Sequence, residues 1–163
     1  TIINGGWSEG ATQASNSAEW AQVLADFADV NEAPVYFVDS AADVAGLAQI
    51  PQVILAGDPP APVSAWTDAS EFVSYEMAIN IPPNASGNVT PVIWSKGLET
   101  SGSWNSDPME SPWGDSGGHI AYADGHVTWY DDTVDRLIDP DTGEEATSIE
   151  VAVGGSENIL KPD

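Results

Sequence analysis

The stretch from Gly117 to Tyr130 constrains this chain most, because Asp124-Gly125 sits between two runs of strand-forming residues, His119-Ile120-Ala121-Tyr122 and Val127-Thr128-Trp129-Tyr130. A two-residue type I′ turn needs positive φ at both central positions, and Asp-Gly supplies it. Such a turn pairs Ala123 with His126, Tyr122 with Val127, Ala121 with Thr128, Ile120 with Trp129 and His119 with Tyr130. Ile120, Tyr122, Val127 and Trp129 then share one face, expected against the core. His119 and His126, the chain's only 2 histidines, share the other. On that register they stand roughly 13 Å apart at about 3.4 Å per residue. One zinc ion, which holds its ligands at about 2.1 Å, could not bind both.

Composition narrows what can surround the hairpin. A chain of 163 residues with 42% hydrophobic residues is long enough for one domain with a core, read as residues 1–163 with loosely held ends at 1–14 and 154–163. Asp and Glu number 26 against 3 Lys and Arg, a formal net charge of -23. That balance argues against nucleic acid and against direct binding to an anionic membrane surface, since both need a basic footprint. It reads most simply as a strongly solvated surface. With no cysteine, thiolate chemistry and Cys-based zinc sites are excluded. No apolar run reaches the roughly 20 residues that span a bilayer.

Asn16 reads as a helix N-cap with Glu19 reaching back, and Trp20, Val23, Leu24, Phe27 and Val30 form an apolar stripe at helical spacing. Residues 34–38 and 52–55 read as short strands around a short helix at 40–48, and Asp58-Pro-Pro-Ala-Pro62 as a rigid connection unable to continue a strand. Glu71 to Ile81 alternates, with Val73, Tyr75, Met77, Ile79 and Ile81 expected to face the core and Phe72, Ser74, Glu76 and Ala78 to face away. After a turn at Pro82-Pro83-Asn84, Thr90 to Ser95 is the next strand, followed by a long irregular loop over 97–117. Asp131 to Ile138 reads as a helical turn and Thr147 to Val153 as a last strand, with a peripheral tail from Gly154. The fold class is therefore α+β, a helix packed on an antiparallel sheet.

Gly114-Asp115-Ser116-Gly117-Gly118 imitates the surroundings of the nucleophilic serine of chymotrypsin-like proteases. Both histidines follow Ser116, however, and that family places its base far upstream. An exported serine hydrolase using Ser116 remains an alternative from a different class. A calcium- or glycan-binding module is another. Asp131, Asp132 and Asp135, and Asp139, Asp141, Glu144 and Glu145, are clustered oxygen donors of the kind calcium takes, although Gly143 falls one position early for an EF-hand-type loop. Calcium is the only cofactor these residues suggest. Of the 7 tryptophans, Trp20, Trp94 and Trp129 are expected in the core, whereas Trp7, Trp66, Trp104 and Trp113 lie in loops where aromatic rings can stack on sugars or cover a subunit contact.

The run Gly117-Gly118-His119 followed by Asp124-Gly125-His126-Val127-Thr128-Trp129 resembles the Gly-Gly-His…Asp-Gly-His-Val-x-Trp signature near the C-terminus of type II secretion pseudopilin-like proteins. These are the major, G-type pseudopilins of the Planctomycetes, Verrucomicrobia and Lentisphaerae group. The layout of the Trp20 helix, Pro34-Val35-Tyr36-Phe37 and Thr90-Pro91-Val92-Ile93-Trp94 is also similar to theirs. The resemblance implies the soluble head of a pilin-like subunit, lacking the hydrophobic N-terminal helix that anchors the full-length form in the inner membrane. It implies a non-catalytic structural subunit on the periplasmic or extracellular side, whose partners are other pseudopilins and components of the export machine. The calcium loop of the major pseudopilins has no residue-by-residue match here. A head of this kind is expected to have no cleft gathering titratable groups, and a helix whose N-terminus projects outward.

Overall fold

A computed structural model describes residues 14–81 and 85–162. The expected lead-in with Trp7, apart from Ala14, and the turn at Pro82-Pro83-Asn84 lie outside the described residues. The first helix, α1 (Ser17–Ala28), begins where its cap residues place it: the Asn16 side chain accepts from the Glu19 N–H at 2.7 Å. Glu19 reaches back one residue further than a capping box, accepting from both the N–H and the hydroxyl of Ser15. The buried stripe of α1 is Ser17, Ala18, Trp20, Ala21 and Ala25. Val23 and Leu24 are only partly covered and Phe27 is half exposed, so the helix packs through its small residues around a single large one.

The five-stranded antiparallel sheet runs in the order β6-β5-β4-β3-β9. Its strands are β3 (Tyr75–Ala78), β4 (Pro91–Ser95), β5 (Gly118–Tyr122), β6 (Val127–Tyr130) and β9 (Ile159–Leu160). Two two-stranded ladders flank it, β1 (Leu55–Ala56) with β2 (Ala61–Pro62), and β7 (Leu137–Ile138) with β8 (Glu145–Ala146). Two further short helices, α2 (Ser64–Ala69) and α3 (Ile149–Ala152), complete the α+β arrangement. Pro91 fits a central strand because it is the first residue of β4 and a register shift follows it before Ile93.

A core covers each face of this sheet. On one side Trp20 of α1, Trp66 of α2 and, from the segment between them, Tyr36, Phe37 and Ile54 pack with Met77, Ile79 and Leu160. On the other, Trp94, Leu98, Trp104, Ile120, Tyr122, Leu137 and Ile149 pack together. The expected division of 71–81 into a core side and an outer side therefore fails, since Ser74, Glu76 and Ala78 are buried along with Met77. Fully burying an aliphatic side chain such as Ile54, Met77 or Ile120 contributes about 2 kcal/mol.

Several elements differ from expectation for local reasons. Residues 33–36 form a 3₁₀ turn with Pro34 in its first positions, where a fixed φ and a missing donor suit a helical start better than a ladder. Of the expected strand at 52–55, only Leu55 enters a ladder, while Val53 makes an isolated bridge to Glu32. Its partner is Ala61–Pro62, so the proline-rich connection does join a strand, at the rim of a two-residue ladder. Residues 147–153 are not a strand: the Ser148 hydroxyl caps α3 by accepting from the Val151 N–H. Ile149, Ala152 and Val153 are buried at helical spacing. The expected helical turn at 131–138 ends instead in β7. The tail is not peripheral, because β9 completes the sheet beside β3 and buries Leu160.

Candidate functional site

The hairpin closes one residue differently from the two-residue turn. Tyr122 N–H donates to the His126 carbonyl at 3.0 Å and Gly125 N–H donates to the Tyr122 carbonyl at 2.8 Å, with Gly125 at φ +92°. This is a three-residue loop, Ala123-Asp124-Gly125, with the glycine in the left-handed position. The pairs are Ala121 with Val127, Ile120 with Thr128, His119 with Trp129 and Gly118 with Tyr130. Because a one-residue slip exchanges faces, Val127 and Trp129 turn outward, at 60% and 43% exposure, while Ile120 and Tyr122 stay inside. Trp129 is thus not a core residue, and the two histidines occupy opposite faces rather than the same one.

Each end of the hairpin is held by its own chemistry. At the loop, the Asp124 carboxylate accepts from the His126 N–H and lies 2.6 Å from His126 Nδ1. Those bonds hold the Asp124 carboxyl below the usual aspartate range. The His126 ring stacks on Tyr122 at 4.3 Å, and the Tyr122 and Tyr130 hydroxyls meet at 2.8 Å. Burial and that hydroxyl partner push the Tyr122 phenol well above its ordinary value. At the other end the Gly-Gly pair is required by packing. A Cβ on Gly118 would stand 2.5 Å from the buried Trp104 ring, and one on Gly117, at φ +129°, would stand 2.3 Å from the Tyr130 carbonyl oxygen.

The outer face of the hairpin is aromatic. His119, Trp129 and Trp113 form a triangle of edge-to-face contacts with ring centroids 4.9, 5.1 and 5.4 Å apart. Val127 extends this apolar surface along β6, and β6 has no strand on its other side among the described residues. Trp113 was legible only as a loop aromatic, whereas its position beside His119 depends on the 3₁₀ turn Gly114–Ser116 that leads into β5. Trp66, expected in a loop, lies in α2 and is buried, and Trp104 is buried as well.

Ser116 lies exposed at the end of that turn. No histidine nitrogen is within hydrogen-bonding reach of its hydroxyl: His126 is engaged with Asp124 and Tyr122, and the His119 ring sits among the tryptophans. The acidic groups disperse likewise. Asp131 and Asp132 pair with Arg136, Asp135 is in a left-handed conformation, and the Asp139 carboxylate accepts from the Asp141 N–H across its own turn. Glu150, at the twelfth position counted from Asp139 where an EF-hand-type loop carries its bidentate glutamate, accepts instead from the Thr100 hydroxyl. Among the described residues no three of His, Cys, Asp and Glu are placed to hold a metal ion. No described helix is long and apolar enough to cross a membrane.

A cleft of about 420 Å³ opens where β3 begins and β4 ends, and it gathers titratable groups. This corrects the expectation that none would. Lys96 and Asp43 form a buried ion pair on its wall, with one Asp43 oxygen left without a partner. Beside them the buried Glu76 accepts from Trp94 Nε1 at 3.0 Å and lies 3.8 Å from Lys161 Nζ. Burial pushes the Glu76 carboxyl up, against the opposing pull of Lys161, Trp94 and the Gly97 N–H. Two of the three cations of the chain therefore line one cleft. Their scarcity was the signal available in the sequence, since a lone lysine directly after a strand in so acidic a chain has little reason to be there except to neutralise something. The helix expectation also fails at this end: Ser17 is fully buried and its N–H donates to the Lys161 carbonyl at 3.0 Å, so the start of α1 is packed against the domain.

Comparison of the chain with protein-family models, with curated proteins and with solved structures returned no match.

Proposed function

We propose that this domain is a non-catalytic subunit of a pilus-like protein-export machine of the type II secretion class, a pseudopilin-like head that works by docking to other subunits. The observation that carries the reading is the outer face of the β5–β6 hairpin. His119, Val127 and Trp129 of the Gly-Gly-His…Asp-Gly-His-Val-x-Trp run build it together with Trp113, and Trp129, Val127 and part of Trp113 are in contact with solvent. Exposed apolar side chains gathered on one face of an acidic domain form the kind of surface that partners cover. In this reading the head stands on the periplasmic or extracellular side, the full-length form is anchored in the inner membrane, and its partners are other pseudopilins. The packed start of α1 then requires the chain to turn before it enters any anchoring helix.

The coding sequence immediately upstream of Thr1 tests the assignment. The expected result is a glycine followed by about 20 apolar residues with an early glutamate, long enough to span a bilayer. A further soluble domain in that place overturns it.

A further inference from the structure

We infer that the free edge of β6 accepts an extended, basic segment of a partner protein as a sixth strand, with an apolar side chain of that segment resting on the Trp113–His119–Trp129 face. This rests on the assembly reading and names the chemistry of the partner. The backbone supplies the first reason. The bond from Tyr122 N–H to the His126 carbonyl sets the phase of the ladder, and bonded pairs in an antiparallel ladder recur at every second residue. Thr128 and Tyr130 therefore turn their N–H and C=O groups inward to Ile120 and Gly118. Val127 and Trp129 turn theirs to the open edge.

The second reason is that nothing in the sequence of β6 guards this edge and no described strand covers it. Natural sheets blunt their edges with lysine, proline, bulges or very short strands. The opposite edge of the same sheet does so, since β9 is two residues long and runs into Lys161-Pro162. Val127-Thr128-Trp129-Tyr130 contains neither a charge nor a proline, and its outward side chains are a valine and a tryptophan. The same two residues thus offer both the unpaired backbone and the exposed apolar surface, the combination that strand addition uses: main-chain bonds for affinity and alternate side chains for specificity.

Charge selects the occupant. Two copies of a chain with net charge -23 repel each other, and Asp115, two residues after Trp113, lies exposed. The sole nearby cation, Arg136, is already shared between Asp131 and Asp132. A strand carrying lysine or arginine on one side and aliphatic residues on the other meets both the field and the apolar face, and its attraction is steepest at low ionic strength.

The test is titration of the whole chain with a short synthetic peptide of alternating valine and lysine, followed by amide hydrogen exchange. Binding should slow exchange at Val127 and Trp129 at least tenfold and leave Thr128 and Tyr130, already bonded, unchanged. Affinity should fall about tenfold or more between about 50 mM and about 500 mM salt, as a screened attraction must. It should fall about tenfold or more in Val127→Pro, which removes an outward donor and leaves the inward ladder intact by near-UV circular dichroism. Equal binding of the valine–glutamate counterpart, protection at some other edge, or self-association through β6 without peptide each overturns the inference. If the peptide fails while an apolar segment is found upstream of Thr1, the sixth-strand proposal falls and the assembly reading stands; if that segment is absent, the assembly reading falls with it.

Discussion

The cleft beneath Lys96 and the outer face of the β5–β6 hairpin invert each other's chemistry. One buries charge: Asp43, Glu76 and Lys96 are each less than one-tenth exposed. The other exposes aromatic surface, with Trp129 and Val127 facing water from an edge strand. A buried charge is held by its partner, and removing one member leaves the other stranded in a poor solvent. An exposed ring is held mostly by its neighbours and loses little when they are gone. The first arrangement makes the domain depend on a few bonds; the second leaves a surface free to be used without loss of fold.

The largest effect should come from breaking the ion pair. Lys96→Met leaves Asp43 buried without a cation and should lower unfolding stability by about 3–5 kcal/mol in urea titration. Adding Asp43→Leu to the same chain should recover most of that loss, because well-packed apolar replacements of buried pairs are often neutral. A double variant no more stable than the single one would show that the pair acts through something other than its charges.

Next is the inner side of the hairpin. Gly118→Ala forces a methyl group against the Trp104 ring and should destabilise by about 1–3 kcal/mol, the usual range for overpacking. Gly125→Ala, with open space around the new methyl but φ at +92°, isolates backbone strain from crowding and should lose about 1–2 kcal/mol. A loss near zero in Gly118→Ala would mean that the Trp104 ring simply moves aside.

Glu76 distinguishes the cleft by pH. Its folded carboxyl titrates above the ordinary 4.5, chiefly because of burial. The protonated form is therefore favoured by folding: its contribution is fully present below the ordinary value and is lost as pH rises through the folded one. Glu76→Gln keeps an acceptor for Trp94 and removes this titration. The stability of the parent chain relative to the variant should fall as pH rises from about 4 towards neutrality. A difference that stays flat with pH contradicts the burial effect. The smallest effect belongs to the outer face, where Trp129→Ala should change stability by no more than about 1 kcal/mol, the scale of its edge-to-face contacts. A loss as large as that of Ile120→Ala, about 2–5 kcal/mol, would mean that the ring is structural.

How much of this could be read from the residues varies with the length of the signal. The first helix was legible to its cap, because Asn16 and Glu19 name its start and a 12-residue amphipathic run follows. The hairpin was legible as a hairpin but not in register, because Asp-Gly serves a two-residue turn and the last two positions of a three-residue loop equally well. That single ambiguity decides which face of β6 carries Trp129, and with it the candidate site. Ile149 to Val153 satisfies both alternation and helical spacing, and only Ser148 as a cap chooses between them. Beyond the isolated lysine after β4, the cleft was not legible, because Asp43, Glu76 and Lys96 come from three segments that only the completed fold brings together.

The bond from Ser17 N–H to the Lys161 carbonyl has a mechanical meaning. It ties the beginning of α1 to the residue that follows β9, and β9 is itself laced to β3 through Met77 and Ala78. A pull on the chain ahead of α1 is therefore not borne by the helix alone. It is shared with the central sheet, so that helix and sheet respond to tension as one body.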